Sequence, residues 1–210
     1  MINQEIKTAF ESFQRGGNIV SVNQITAGLI NATYLIETDK TEKYILQKIN
    51  TFVFKNPDEL MENIIGVTKH ITEKIKEAGG DYKRENLNFL PCNSGKYYYR
   101  DENDGAWRMY IYVDEALTYN KPKDIDTFRN AGRSFGRFMK LLADYPAETL
   151  NETIKNFHYT PARYENFLKA VDADVKGRKA TCEEEIKFVT DRKADTHFLT
   201  DLIACGVLPL

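Results

Sequence analysis

The chain has 210 residues, 42% hydrophobic and 29% charged, a balance that argues against general disorder and allows one large domain or two lobes. With 29 basic and 31 acidic side chains the formal net charge is −2, so no polybasic field is present to attract nucleic acid or an anionic membrane. No apolar run reaches the roughly 18 residues that a spanning helix needs, and the acidic start MINQEIKTAFESF does not read as a signal peptide.

Cys92, Cys182 and Cys205 are scattered, form no CxxC pair and read as free thiols in a reducing, cytoplasmic setting. His70, His158 and His197 are isolated and leave no zinc pattern. In chain order, Ile6, Phe10 and Phe13 have helical spacing and are followed by Gly16-Gly17. Strands are expected over 19–25, 33–38 and 43–50, with links short enough to make neighbours antiparallel. A long helix should cover 57–78: Asn56 suits the N-cap, Pro57 the first position and Glu59 the third, and Gly79-Gly80 ends it. Its stripe of Leu60, Ile64, Val67, Ile71 and Ile75 needs a sheet to pack on.

Further strands are expected over 87–91, 96–100 and 107–113, the last two joined by the turn Asp101-Glu102-Asn103-Asp104-Gly105. Beyond Asp114 the reading is helical. Asp124 caps a helix carrying Ile125, Phe128, Phe135, Phe138 and Leu142, Thr160-Pro161 starts another, and Thr181 with Glu184 forms a capping box for a last helix reaching Cys205. The fold class is therefore α+β: a small antiparallel sheet with one long helix, then a helical region, crossing over at 114–120.

Residues 25–50 hold the most chemistry. Two strands flank a loop containing Gly28, and alternation puts Tyr44, Leu46 and Lys48 on one face of the next strand. A lysine opposite a glycine-bearing hairpin is one way to hold nucleotide phosphates, although most strand lysines extend their ammonium into solvent. Trp107 and the run Tyr97-Tyr98-Tyr99 read as sheet packing, and Arg108 reads equally as solvent-facing or cleft-facing. His70 and His197 read as surface helix positions, and His158 as a loop residue.

Several stretches resemble one family. They are Gly28-Leu29-Ile30-Asn31-Ala32-Thr33-Tyr34, Tyr44-Ile45-Leu46-Gln47-Lys48-Ile49-Asn50, Leu60-Met61-Glu62-Asn63-Ile64, Trp107-Arg108-Met109-Tyr110, Gly132-Arg133-Ser134-Phe135-Gly136 and Phe157-His158 with Arg163. In this order they are similar to the aminoglycoside phosphotransferase and choline kinase superfamily of protein-kinase-like fold, and within it to bacterial N-acetylhexosamine 1-kinase-like proteins. The resemblance implies a nucleotide-binding lobe over 1–114 and a partial helical lobe over 115–210. It also implies ATP with Mg²⁺ as cofactors, and phosphoryl transfer to a small-molecule amino sugar.

By that resemblance, Gly28, Asn31 and Thr33 belong to the nucleotide loop, Lys48 is the phosphate-binding cation and Leu46 lies over the adenine. Glu62, or Glu59, is the carboxylate partner of Lys48, and Tyr112, Val113 and Asp114 form the hinge beside the base. The family loop usually reads G-H-I-N-D-T-Y, so Leu29 and Ala32 replace its His and Asp. Residues 206–210 resemble the segment that leads into the family's catalytic loop, and no H-x-D-x-x-x-x-N pattern occurs in the chain. No catalytic residue is therefore assigned, and the 210 residues read as a truncated, inactive kinase with apolar surface left uncovered. The alternatives are a non-catalytic nucleotide-binding or interaction module, or a kinase for choline or an aminoglycoside.

Overall fold

The computed structural model describes residues 2–119 and 121–208. Asn120, in the expected crossover, and Pro209 and Leu210, at the end of the 206–210 stretch, lie outside the described residues. The chain forms two compact units, Met1–Thr153 and Ile154–Leu210. The first contains helix α1 (Gln4–Glu11), strands β1 (Ile19–Ile25), β2 (Ala32–Thr38) and β3 (Lys43–Ile49), and helix α2 (Pro57–Glu77). It continues through the one-turn helix α3 (Tyr82–Glu85), strands β4 (Tyr99–Arg100) and β5 (Ala106–Ile111), and helix α4 (Ile125–Leu141). All pairings are antiparallel, in the order β1-β2-β3-β5-β4, so the α+β class is the one observed.

The helix starts follow local chemistry. The Asn56 side chain accepts from the N–H groups of Asp58 and Glu59 at 3.1 and 3.4 Å, and Pro57 needs no partner at the first position. Asp124 accepts from the Thr127 N–H at 2.7 Å and starts α4. Two expected strands are shortened. Residues 87–91 are reduced to a bridge between Phe89 and Tyr110, with the Leu90 N–H donating to the Met109 carbonyl at 2.9 Å and the Ile111 N–H to the Asn88 carbonyl at 3.0 Å. Residues 96–100 shrink to Tyr99–Arg100, since Lys96 is drawn into a turn by the Cys92 N–H at 2.7 Å.

The sheet is covered on both faces, by different helices. On one face α1 places Ile6, Ala9 and Phe10 against Ile36, Tyr44, Leu46, Trp107 and Met109. On the other, Leu60 and Met61 of α2 pack on Ile49, Ala106 and Tyr98. The segment after α4 seals the far side of α2. Asn63 and Asn151 exchange two 2.8 Å hydrogen bonds, and the Tyr145 hydroxyl lies against Gly66, where a Cβ would collide with it. His70 is consequently not a free surface residue. Its Nε2 lies 3.1 Å from the Leu141 carbonyl and 3.2 Å from Asp144, which also pairs with Lys74.

The second unit comprises α5 (Thr160–Ala173), α6 (Glu183–Thr190) and α7 (Phe198–Ala204), with a 3-10 turn, Lys193–His197, before α7. The single last helix expected from a capping box is therefore divided. The Thr181 hydroxyl donates to the Arg178 carbonyl at 2.8 Å and caps nothing, which leaves the start of α6 without a side-chain cap.

Helix α4 is amphipathic, yet no α4 residue is buried: Phe128, Phe135 and Met139 are 65%, 73% and 71% exposed. Position in the fold should therefore decide what a phenylalanine contributes. Phe10→Ala should cost about 3–5 kcal/mol by denaturant unfolding, because Phe10 is fully buried. Phe135→Ser should stay within about 0.5 kcal/mol of wild type.

Candidate functional site

The pleat of β3 sorts its side chains between the two helices. Tyr44 and Leu46 sit in the cluster under α1, and Lys48 follows them on that face. The Lys48 Nζ lies 2.5 Å from Glu5 Oε1, 3.9 Å from Asp101 Oδ2 and 5.3 Å from the centre of the Trp107 ring. The Glu5 hydrogen bond is the main cause that raises the Lys48 pKa above its ordinary value. Burial pushes the Asp101 carboxyl up. The hydrogen bonds from Trp107 Nε1 and the Gly105 N–H, both 2.7 Å, outweigh this and, with Asn103 and Lys48, hold it below the usual carboxylate value. A Cβ at position 105 would meet both the Asp101 carboxylate and Lys48 Cε, so this cluster needs glycine there.

Lys48 thus ties α1 to the β4–β5 hairpin. The expected pairing with Glu62 is not made, because α2 lies across the opposite face; Glu62 Oε2 instead accepts from Asn151 Nδ2 at 3.1 Å. Glu59 remains at the start of α2, where its N–H donates to Asn56. Leu46 is fully buried between the sheet and α1 and offers no surface to a base.

The α2 face is only partly covered. One row across it, fixed by register, reads Ile25, Thr33, Gln47, Arg108. Gln47 Nε2 donates to Thr33 Oγ1 at 3.0 Å, and Gln47 Oε1 accepts from Arg108 Nε at 2.9 Å. Burial lowers the Arg108 pKa, but a guanidinium keeps its charge in proteins. No carboxylate pairs with Arg108 among the described residues, and Nη1 and Nη2 have no hydrogen-bond partner there. The guanidinium carbon lies 5.7 Å from the centre of the Phe89 ring. The next row is Leu35, Ile45 and Tyr110: Ile45 is buried, Leu35 and Tyr110 are half-buried and form an apolar floor beside it, and burial raises the Tyr110 phenol.

Two loops flank this face. In 26–31, Gly28 has open space around it, Leu29 is 98% exposed, and Asn31 Oδ1 accepts from the Asn50 N–H at 3.0 Å. At the end of β5, the Tyr112 N–H donates to the Lys43 carbonyl at 3.0 Å, and Lys43 Nζ donates to Asp114 at 3.1 Å. That hydrogen bond is the main cause holding the Asp114 carboxyl low and the Lys43 amine high. Among the described residues the backbone N–H and C=O of Val113 have no partner. An unpaired donor and acceptor on one strand edge can meet the edge of a planar heterocycle.

Of the residues expected to form the site, Thr33 joins Gln47 and Arg108, while Tyr112, Val113 and Asp114 continue from the same strand. Lys48, Leu46 and Glu62 lie elsewhere. Gln47 and Arg108 lie in stretches that carry the family resemblance, which gives neither a site role, and by sequence Arg108 reads equally as solvent-facing or cleft-facing; their sharing a face with Ile45 and Tyr110 is the available signal. Among the described residues no group of three or more His, Cys, Asp or Glu is placed to hold a metal ion.

The fold is kinase-like. No protein-family model matches the chain. One similar solved structure is amicoumacin kinase hAmiN in complex with AMP-PNP, Ca²⁺ and Ami, with a TM-score of 0.53 and 15% sequence identity. The match covers 89% of this chain and 54% of that one. Another is spectinomycin phosphotransferase APH(9)-Ia in complex with ADP and spectinomycin, with a TM-score of 0.36, 13% identity and coverage of 88% and 57%. The chain therefore spans about half the length of the solved structures it matches.

Two measurements test the α1-side cluster. A double-mutant cycle of Glu5→Gln with Lys48→Met should give a coupling of about 0.2–1 kcal/mol for this partly exposed pair; zero coupling removes the tie. Asp101 has a depressed folded-state pKa. Its contribution is therefore present above the unfolded value of about 3.9 and lost as pH falls through the folded value. Stability of Asp101→Asn should accordingly fall less than that of wild type between pH 7 and pH 3.

Proposed function

We propose that the chain is the nucleotide-binding portion of an ATP-dependent small-molecule phosphotransferase. The observation that supports this best is the α2 face in a kinase-like fold: an apolar floor, a guanidinium without a carboxylate, and the unpaired backbone edge of Val113. The half-buried Leu35 and Tyr110, on either side of the buried Ile45, offer apolar surface to a purine, and Val113 suits its hydrogen-bonding edge. Gly28 and its neighbours bring an uncluttered backbone to one margin of the face. The nucleotide-bound state of amicoumacin kinase, of similar fold, agrees with this assignment.

The acceptor in this reading is a hydroxyl of an amino sugar, supported by the resemblance to N-acetylhexosamine 1-kinases. Phosphoryl transfer also needs a base to receive the hydroxyl proton and cations to offset charge on the transferred group. The described residues contain no metal cluster, and the sequence has no H-x-D-x-x-x-x-N pattern. In this proposal, both functions belong to polypeptide outside these 210 residues. This chain holds and orients the nucleotide and does not by itself transfer phosphate.

Binding is measurable directly. ATP at a hundred times its Kd should raise the unfolding free energy by about 2.7 kcal/mol, with no transfer from ATP to N-acetylhexosamines. Absence of any stabilisation by millimolar ATP overturns the binding assignment, and turnover by the purified chain overturns the assignment of the base to other polypeptide.

A further inference from the structure

The Thr33–Gln47–Arg108 row carries an inference that rests on the proposed nucleotide-binding function and deepens it. Arg108 is half-buried on a strand that faces α2, and among the described residues the one hydrogen bond it donates is from Nε to Gln47. Gln47 is itself held by Thr33, so the carbonyl that receives Nε is fixed in orientation. A guanidinium anchored through Nε presents Nη1 and Nη2 as a pre-aimed pair of donors. Among the described residues no carboxylate neutralises it. Taking a charge out of water without a counter-charge is unfavourable and persists where an anionic ligand offsets it.

We infer that Arg108 is the phosphate-binding cation of this sheet, with Gln47 and Thr33 as the positioning residues that aim its guanidinium. Lys48 occupies the other face, where Glu5 and Asp101 already answer its charge. Arg108 precedes Val113 by five residues, roughly 17 Å along an extended strand. The side chain can extend back toward that edge. A base held at Val113 with phosphates turned toward Arg108 therefore runs along β5 over the apolar floor.

The probes are ATP, adenosine and inorganic pyrophosphate, with affinities measured by calorimetry on wild type, Arg108→Met and Arg108→Lys. Wild type should bind ATP more tightly than adenosine. Arg108→Met should remove about ten- to a hundred-fold of ATP affinity, abolish pyrophosphate binding and leave adenosine affinity unchanged. Arg108→Lys, which keeps the charge but lacks the fork, should retain part of the preference. Thermal unfolding separates this from a structural role. An uncompensated cation exchanged for an apolar side chain of similar length should leave the ligand-free Tm unchanged or higher, whereas loss of a structural contact lowers it. Retention of the full ATP-over-adenosine ratio in Arg108→Met overturns the inference and leaves nucleotide binding intact. Failure of wild type to bind either ligand overturns the proposed function and the inference with it.

Discussion

Strand β3 has neighbours on both edges and a helix on each face, and its two-residue period governs the rest of the lobe. Because adjacent side chains point to opposite faces, Lys48 and Gln47 are adjacent in sequence but serve different layers. The α1 layer is fully buried at Leu46, Trp107 and Met109, and closes with Lys48 neutralising Glu5 and Asp101. The α2 layer is packed at Ile49 and Ala106 but retains a polar row at Thr33, Gln47 and Arg108. A one-residue slip of β3 would place a charged lysine against α2 and expose Leu46, so the apolar pattern also fixes the chemistry of each face.

The sequence was informative where structure follows from neighbours along the chain. Strand β1 falls on the expected 19–25, α2 starts at Asn56-Pro57, and Tyr44, Leu46 and Lys48 share a face. Which helix covers that face was not legible, because alternation labels two faces without saying what packs on either. Helix α1 precedes the sheet and has only eight residues, yet it lies on the lysine face; the long α2 takes the other. Register across strands was also hidden. Arg108 joins Gln47 only because β5 adds to the edge of β3 with Gln47 opposite Arg108.

Local bonds account for two departures: the Thr181 hydroxyl goes to the Arg178 carbonyl and not to a cap, and the Cys92 N–H holds the Lys96 carbonyl in a turn that shortens the 96–100 strand. His70 departs from expectation for a nonlocal reason: the 142–151 segment folds back on α2, which a helical periodicity confined to α2 cannot reveal.

Helix α4 sets a different physical problem. Ile125, Phe128, Phe135 and Met139 lie along one side and remain 68%, 65%, 73% and 71% exposed, although burying side chains of this size is worth about 1.5–3 kcal/mol each. Gly132 and Gly136 sit along the same side, four residues apart, and a Cβ at either would meet nothing within 4 Å. Glycine in a helix interior costs about 1 kcal/mol relative to alanine, and nothing around these two offsets that cost among the described residues. The helix is held instead at its other side, where Arg137 pairs with Glu85 and Phe138 and Leu141 lie beside Ile71 and Ile75. Small residues set among large apolar ones let another backbone approach closely.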